Sequence, residues 1–411
     1  MLATPADHGK TSSAAATPAK GRMAVLICFL VALVDGYDTL MLAFVAPLVS
    51  QEFAMPRGAI GKLFSAGYAG AAIGALGVGT AADRWGRKKM MIVSMLIAGV
   101  FTLLCAWASS PTELMIYRFL GGIGLGGAIP CAAALTGEHA SSARRTQTVA
   151  RMFLGFPIGA IAGGSITAAV LPLVGWHGVF VGGGVVALLT GLVVMAIPPA
   201  PVKEQVMASG SFRSDQSQLF TEGRAIGTTL ICIATFLMLM VTYFLVSWVP
   251  TVLALNGIDP QRAALAGVLV NVGAVAGALT MSYLILGRNP FFRVAACMGA
   301  GALLIPTFGL SVGSGVALPF FLVFCIGLLL LGGQQNIPAL AVHFFPPALR
   351  ATGVGTAMAC GRVGSIVGPI VGGTLVGAHL PWTDLFLIAA VPALVAAIAL
   401  AFVKKPQDNA R

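Results

Sequence analysis

The chain has 411 residues, of which 58% are hydrophobic and only 9% are charged. Soluble domains carry about a quarter charged residues, so these proportions exclude a soluble enzyme and favour a membrane protein. Stretches free of Lys, Arg, Asp and Glu run over 152–202, 225–258 and 294–349. Each is long enough for one or two helices of about 20 residues across a bilayer. We therefore predict an all-α membrane protein.

Hydropathy, together with Pro, Gly and charge between the apolar segments, predicts twelve transmembrane helices in two pseudo-symmetric six-helix bundles. The longest polar gap, 199–224, separates the two sets of six. The predicted spans are 24–48, 59–82, 89–109, 112–136, 147–171, 176–198, 225–252, 262–286, 291–312, 316–341, 350–377 and 382–403. We expect a disordered cytoplasmic tail over 1–21, bundles over 22–198 and 225–403, a cytoplasmic linker over 199–224 and a tail over 404–411.

Lys and Arg orient these helices. With a cytoplasmic N-terminus, 19 of the 24 Lys and Arg lie in cytoplasmic segments, and only Arg57, Lys62 and Arg262 lie outside. The net charge of +11 is then a topology signal, and we expect no nucleic acid partner. The sequence predicts a multi-pass protein of the bacterial inner membrane with both termini in the cytoplasm.

The two halves also look like repeats. Gly126-Gly127 and Arg144 recur as Gly332-Gly333 and Arg350 at an offset of 206 residues. At the same offset, Asp83, Arg87 and Gly67 fall on Asn289, Arg293 and Gly273. A duplicated set of six helices is a transporter architecture, with the substrate site at the midplane between the halves.

Four ionisable residues are predicted to lie deep in the membrane, where such groups are costly and usually functional. Asp35 and Asp38 share a face of the first span, while Arg118 and Arg362 lie in the fourth and eleventh spans. A carboxyl group in a low-dielectric cleft readily takes up a proton, and a guanidinium binds a carboxylate bidentately. We expect Asp35 and Asp38 to couple protons and Arg362, helped by Arg118, to bind an organic anion. The alternative is that the four charges only pair with one another.

Other polar and aromatic residues could line the same cavity, although aromatics at helical spacing more often simply pack. Three adjacent amides in one span are a stronger signal, because amides inside a membrane need partners. The candidates for substrate binding are Tyr37, Tyr68, Tyr243, Trp248, Gln334, Gln335 and Asn336.

The loop after the second span reads Gly79-Thr-Ala-Ala-Asp83-Arg84-Trp-Gly86-Arg87-Lys88-Lys89. It resembles the G-x-x-x-D-R-x-G-R-[KR] signature of the major facilitator superfamily. The resemblance implies the fold of that superfamily. We expect Gly79, Asp83, Arg84, Gly86, Arg87 and Lys88 to form a conformational latch in which Asp83 pairs with the cations in one access state. The alternative is a merely positive cytoplasmic loop. The copy in the second half has Asn289 in place of the acid, so a latch there should be weaker.

A narrower resemblance lies in Asp35-Gly36-Tyr37-Asp38 and in Arg350-Ala-Thr-Gly-Val-Gly355, followed by Gly361-Arg362. These stretches are similar to motifs of the aromatic acid:proton symporter family, locally most of all to its 3-hydroxyphenylpropionate branch. The family implies proton-coupled import of benzoate-, hydroxybenzoate- or phenylpropanoate-type anions. It also implies that Asp35 and Asp38 are essential for coupling and that the Asp83 loop is needed for the conformational cycle.

Other functions find less support. The seven cysteines lie in apolar segments without a CxxC pair, and the five histidines do not cluster, so we expect no metal and no cofactor other than protons. No nucleophile–base pair points to an enzyme. The rival interpretations are a carrier of non-aromatic organic acids such as muconate or shikimate-like compounds, a drug/proton efflux carrier and a non-transporting receptor. We expect a monomer in the lipid bilayer whose partners are a small organic anion and protons.

Overall fold

The computed structural model describes residues 18–56, 58–141, 144–198, 217–221, 223–285, 287, 289–346 and 349–404, which are helical without any strand. The first bundle contains α1 (Pro18–Glu52), α2 (Ile60–Trp85), α3 (Arg87–Cys105), α4 (Pro111–His139), α5 (Arg145–Phe153) and α6 (Gly155–Val194). The second contains α7 (Ala225–Leu255), α8 (Pro260–Ile285), α9 (Pro290–Ser311), α10 (Ala317–Ile326), a π-helical turn (Gly327–Leu331), α11 (Gly332–Gln335), α12 (Ile337–Phe344), α13 (Arg350–Gly377) and α14 (Trp382–Ala401).

Eleven helical stretches of the described residues are long and apolar enough to cross a membrane, one fewer than predicted. The predicted fifth and sixth spans form one stretch of 48 residues, Gln147–Val194. A straight helix of that length would measure about 72 Å, more than twice the bilayer core. Gly175 interrupts it with φ 63° and ψ −176°. Gly163 and Gly183, on either side of this break, both lie against the ring of Tyr37, so the stretch folds back at Gly175.

The first helix begins earlier than predicted. Helix α1 starts at Pro18, inside the tail predicted over 1–21 and six residues before the predicted span. Proline suits the first turn of a helix, and the Ala, Lys and Arg that follow are good helix formers. Residues 1–17, most of the predicted linker (199–216 and 222) and 405–411 lie outside the described residues.

The predicted tenth span, 316–341, is broken into pieces. The π-helical turn Gly327–Leu331 precedes α11, and Asn336 separates α11 from α12. Pro338 has no N–H to donate to the carbonyl of Gln334, four residues earlier, which explains the break. The amide of Asn336 donates to the carbonyls of Gly332, at 2.9 Å, and Ala278, at 3.2 Å. The interrupted backbone is therefore held by a side chain.

The two halves repeat a tryptophan contact that joins their first and last helices. Trp176 donates its indole N–H to Glu52 Oε2 at 2.6 Å, where α1 ends. Trp382, 206 residues later in the chain, donates to Asn256 Oδ1 at 2.9 Å, where α7 ends. The two tryptophans are separated by the 206 residues of the sequence repeat, and their partners Glu52 and Asn256 by 204.

The hydrophobic core shows where the halves meet. One cluster of buried side chains draws only on residues 24–197, around the end of the first bundle that carries Gly86. The other cluster extends from Leu40 to Val403 and joins both halves. The contacts between the halves include Gly58 against Gly373 and Gly61 against Pro369. The halves are thus packed together at the end of the molecule that carries the turn between α1 and α2.

Glycines allow the helices to touch backbone to backbone, and one of them offers a test of this packing. A Cβ at Gly364 on α13 would overlap the carbonyl oxygen of Phe236 on α7, whereas one at Gly355 would meet nothing within 4 Å. We expect Gly364→Ala to lower the free energy of unfolding by about 1–3 kcal/mol, because overpacking forces the helices apart. Gly355→Ala, the control, should be neutral or slightly stabilising. Thermal unfolding in detergent measures both, and equal melting temperatures for the two variants would contradict the packing.

Candidate functional site

Asp35 and Asp38 lie on α1 but face different surroundings. Asp38 is only 1% exposed, whereas Asp35 is half-buried. Three residues of an α-helix turn through 300°, so their side chains diverge by about 60°. Asp38 consequently points into the first bundle, and Asp35 is near α13 of the second.

Asp38 is the centre of a buried polar network inside the first bundle. Its Oδ1 accepts a hydrogen bond from the Thr102 hydroxyl at 2.7 Å. Its Oδ2 accepts from Arg118 Nη1 at 3.0 Å, and its backbone carbonyl accepts from Arg118 Nη2, also at 3.0 Å. The guanidinium carbon of Arg118 lies 5.9 Å from the centre of the Phe180 ring. The Asp38 carboxylate thus has two hydrogen-bond donors, one of which is also its counter-charge.

Asp35 on α1 and Arg362 on α13 belong to different halves of the molecule. The two charges are close enough to interact electrostatically, and Tyr243 on α7 lies within the field of both. Both side chains are among the described residues, and they do not form an ion pair within 4.0 Å. Arg362 is half-buried, and its guanidinium has the donors to hold an anion. The arrangement therefore combines an acid, a cation and an aromatic ring at the boundary between the halves.

Polar and aromatic contacts close the boundary on one side of these charges. The Tyr68 hydroxyl lies 3.3 Å from Ser247 Oγ, and the rings of Tyr68 and Tyr243 meet edge to face at 4.6 Å. The Ser65 hydroxyl donates to the carbonyl of Ile366 at 2.7 Å. All of these contacts join α2 of the first bundle to α7 or α13 of the second.

Two predicted aromatic candidates are packing residues in this structure. Tyr37 lies between α1 and α6, where its hydroxyl donates to the carbonyl of Val179 at 3.4 Å. Trp248 is completely buried, donates to the carbonyl of Pro369 at 3.2 Å and packs edge-on against Phe64 at 6.0 Å. The structure therefore does not bring Tyr37 or Trp248 into the group formed by Asp35, Arg362 and Tyr243.

The three adjacent amides also differ from one another. Asn336 bonds backbone carbonyls of its own bundle, as described above. Gln334 is 7% exposed, whereas Gln335 is exposed. Of the three, Gln335 is the one whose side chain is accessible from outside the packed helices.

Comparison with known proteins agrees with this architecture. The family model of the Major Facilitator Superfamily matches residues 28–355 and again 231–411. The chain belongs to the major facilitator superfamily. It is a multi-pass membrane protein of a transporter family and not an enzyme.

Its relatives within the superfamily include carriers of aromatic acids. The chain is 34% identical to the 4-hydroxybenzoate transporter PcaK of Acinetobacter baylyi, over 92% of this chain and 90% of the relative. It is 34% identical to the 3-(3-hydroxy-phenyl)propionate transporter of Escherichia coli, over 91% and 92%. The fold resembles that of a bacterial homologue of the human lysosomal transporter Spinster in an inward-facing, unoccupied conformation, with a TM-score of 0.77, 16% identity and coverage of 93% and 95%.

The signature loop of the superfamily is folded around Gly86, whose φ of 93° makes the turn from α2 to α3. Arg87 pairs with Glu138 at the end of α4. Lys88 Nζ donates to the carbonyls of Met195, at 2.8 Å, and Ile197, at 2.6 Å, after the end of α6. Arg84 is exposed, and Gly79 has open space around it. The side chain of Asp83 lies outside the described part of the chain, so its pairing stays a prediction.

Sequence reasoning missed several residues of the site. Thr102, Ser65 and Ser247 were not singled out, because a single hydroxyl in a membrane helix often bonds only its own backbone. Thr102 lies within the predicted third span, but nothing in the sequence identifies Asp38 as its partner. Nothing in the spacing of Glu138 from Arg87 along the sequence identifies the two residues as partners.

The Asp38–Arg118 pair yields a stability prediction. Asp38→Asn leaves a buried guanidinium without its counter-charge, which should destabilise the protein by about 3–5 kcal/mol. Asp384→Asn removes an exposed acid and is the control for net charge. The double variant Asp38→Asn/Arg118→Gln should recover part of the loss, because no charge is then stranded. Thermal unfolding in detergent measures the single and double variants of this double-mutant cycle. A wild-type melting temperature for Asp38→Asn would show that the pair does not stabilise the protein.

Proposed function

We propose that this protein is a proton-coupled importer of aromatic carboxylates that works by alternating access. The observation that carries the proposal is the placement of Asp35 and Arg362 on opposite halves, beside Tyr243. A guanidinium binds a carboxylate, an aromatic ring packs against another in an offset or edge-on geometry, and a carboxyl group accepts a proton. The similarity to the 4-hydroxybenzoate and hydroxyphenylpropionate transporters supports the aromatic class.

The proposed topology has twelve crossings in two six-helix halves, with both termini in the cytoplasm of a bacterial inner membrane. The reversal at Gly175 supports two crossings within Gln147–Val194. The distribution of Lys and Arg supports the orientation. In that orientation the halves are packed together at the periplasmic end, so the conformation is the inward-facing one. The transporter acts as a monomer.

Proton uptake is coupled to substrate binding because Asp35 and the substrate carboxylate compete for Arg362. Without substrate, the guanidinium is the counter-charge of ionised Asp35. When a substrate carboxylate occupies Arg362, Asp35 loses that stabilisation and takes up a proton. Asp38 is already bound by Thr102 and Arg118 within its own half. We therefore assign the proton to Asp35 and a structural role in the first bundle to Asp38.

The number of protons sets the driving force. A monovalent anion that enters with one proton is electroneutral, and each unit of pH gradient then contributes about 1.4 kcal/mol. With two protons, the membrane potential adds about 2.3 kcal/mol per 100 mV.

Conformational change requires the periplasmic contacts to separate and cytoplasmic ones to form. Ser65, Tyr68, Gly58 and Gly61 leave their partners on the second half when the outward-facing state appears. The cytoplasmic loop around Asp83 is the latch that stabilises this other state, with Arg84, Arg87 and Lys88 as its cations.

Counterflow in proteoliposomes tests the function directly. Liposomes loaded with unlabelled 4-hydroxybenzoate should accumulate labelled benzoate, hydroxybenzoate or phenylpropanoate added outside. Muconate and shikimate are the matched non-aromatic acids and should not exchange. Exchange of the non-aromatic acids alone would replace the aromatic class with the rival organic acid class, and exchange of none would remove the transport function.

Asp35→Asn separates coupling from transport. We expect the variant to bind substrate and to exchange it in counterflow, because an amide resembles the protonated carboxyl. Accumulation driven by an imposed pH gradient should fall to the level of empty liposomes. Wild-type accumulation by Asp35→Asn, with unchanged dependence on the gradient, would reassign the proton to another group.

Arg362 offers the corresponding test of anion binding. Arg362→Lys should weaken binding of an aromatic carboxylate about 10- to 100-fold, because the bidentate fork is lost. Arg362→Ala should bind nothing measurable by calorimetry. Arg262→Ala removes an exposed arginine and controls for net charge. Wild-type affinity in Arg362→Ala would move the substrate carboxylate to another cation, with Arg118 the first candidate.

A further inference from the structure

A polar cleft lies far from the midplane charges, at the end of the second bundle where α8 and α14 end and α9 begins. Its volume is about 670 Å³, which is within the range of small-molecule sites. Its lining includes Asn289, Phe292, His343, Ala401, Val403 and Lys404. The guanidinium of Arg293 lies against Gly287, another residue of the lining. The cleft thus gathers cationic groups at the boundary of the membrane.

At the equivalent position of the first bundle, side chains occupy the space that forms the cleft in the second. There Lys88 donates to the carbonyls of Met195 and Ile197, and Glu138 pairs with Arg87. In the second half, 206 residues later, Val294 stands at the position of Lys88 and Phe344 at that of Glu138. Arg293 stands at the position of Arg87, so the arginine is kept. The counterparts of Met195 and Ile197 are Ala401 and Val403, which line the cleft. The second bundle has therefore lost both the lysine that occupies this space and the acid that balances the arginine.

Among the residues that the structure describes, the charges around the cleft have no acidic partner within ion-pair distance. Between residues 260 and 407 the sequence contains a single acid, Asp384, at the opposite end of α14 from Lys404. Arg293, His343 and Lys404 are exposed, and the described residues place no carboxylate within 4.0 Å of them. An external anion would therefore meet two permanent cations and a histidine.

We propose that this cleft binds the headgroup of an anionic phospholipid. Basic pockets between transmembrane helices at the cytoplasmic surface suit such headgroups. The first turn of α9 adds backbone N–H groups and the positive end of a helix dipole. Phe292 and Phe402, beside the cationic groups, are 62% and 66% exposed and offer an apolar surface to acyl chains, as aromatic residues do at membrane interfaces. This apolar surface favours a lipid over a free phosphate ion.

Native mass spectrometry of the purified full-length protein tests the assignment with phosphatidylglycerol and phosphatidylcholine of equal acyl chains. We expect phosphatidylglycerol to be retained in preference. Arg293→Gln/Lys404→Gln should weaken its binding about tenfold. Ala401→Trp, which fills the cleft without a change of charge, should do the same. Arg151→Gln/Arg262→Gln removes two exposed cations elsewhere and should bind like the wild type.

Two outcomes would overturn the proposal. Equal loss of phosphatidylglycerol from the control variant, or wild-type binding by both cleft variants, would show that lipid binds by diffuse surface charge. Displacement of phosphatidylglycerol by millimolar inorganic phosphate, with phosphatidylcholine bound equally well, would identify a phosphate site in place of a lipid site. Circular dichroism of each variant confirms that a loss of binding is not a loss of fold.

Discussion

The organisation of this protein depends on the cost of placing charge in a low-dielectric interior. The first bundle meets that cost internally, since Asp38 has both Thr102 and Arg118 as donors. Asp35 and Arg362 meet it differently, because each relies on the other half of the molecule. In the proposed mechanism, this placement couples the conformation to the proton and to the substrate. A proton on Asp35, or an anion on Arg362, changes the attraction between the two halves and therefore the stability of their contact.

The close glycine contacts between helices also fall into two groups, those within one half and those between the halves. Some glycine contacts lie within one half, such as Gly364 against Phe236, and they keep each bundle rigid. Others lie between the halves, such as Gly58 against Gly373 and Gly61 against Pro369. In the described part of the chain, the hydrogen bond from Ser65 to the carbonyl of Ile366 adds to the second group. These backbone contacts lie beside aromatic pairs that also join the halves, such as Phe64 with Trp248 and Tyr68 with Tyr243. All of them must separate when the two halves move apart in a transport cycle.

The sequence predicted the helical membrane fold and the superfamily because long apolar runs and the loop around Gly86 are local signals. It also selected Asp35, Asp38, Arg118 and Arg362 from their depth. It did not show that Asp35 and Asp38 have different surroundings, because a shared helical face does not reveal which neighbour each side chain meets. The broken helix at Asn336 escaped, since it depends on one residue within an otherwise continuous apolar pattern. The reversal at Gly175 falls between the predicted fifth and sixth spans, 147–171 and 176–198. The sequence also did not show that Trp248 is packed inside the core, because an aromatic near a cavity and one inside a core look alike in sequence.

The central claim is that an anion and a proton exchange places around Arg362. Calorimetry of 4-hydroxybenzoate binding to the purified protein, repeated at one pH in buffers of different ionisation enthalpy, counts the protons taken up with each anion. The account predicts net uptake approaching one proton per substrate in the wild-type protein and none in Asp35→Asn. Binding with no linked proton in the wild type, at every pH where uptake is driven by a pH gradient, would contradict it.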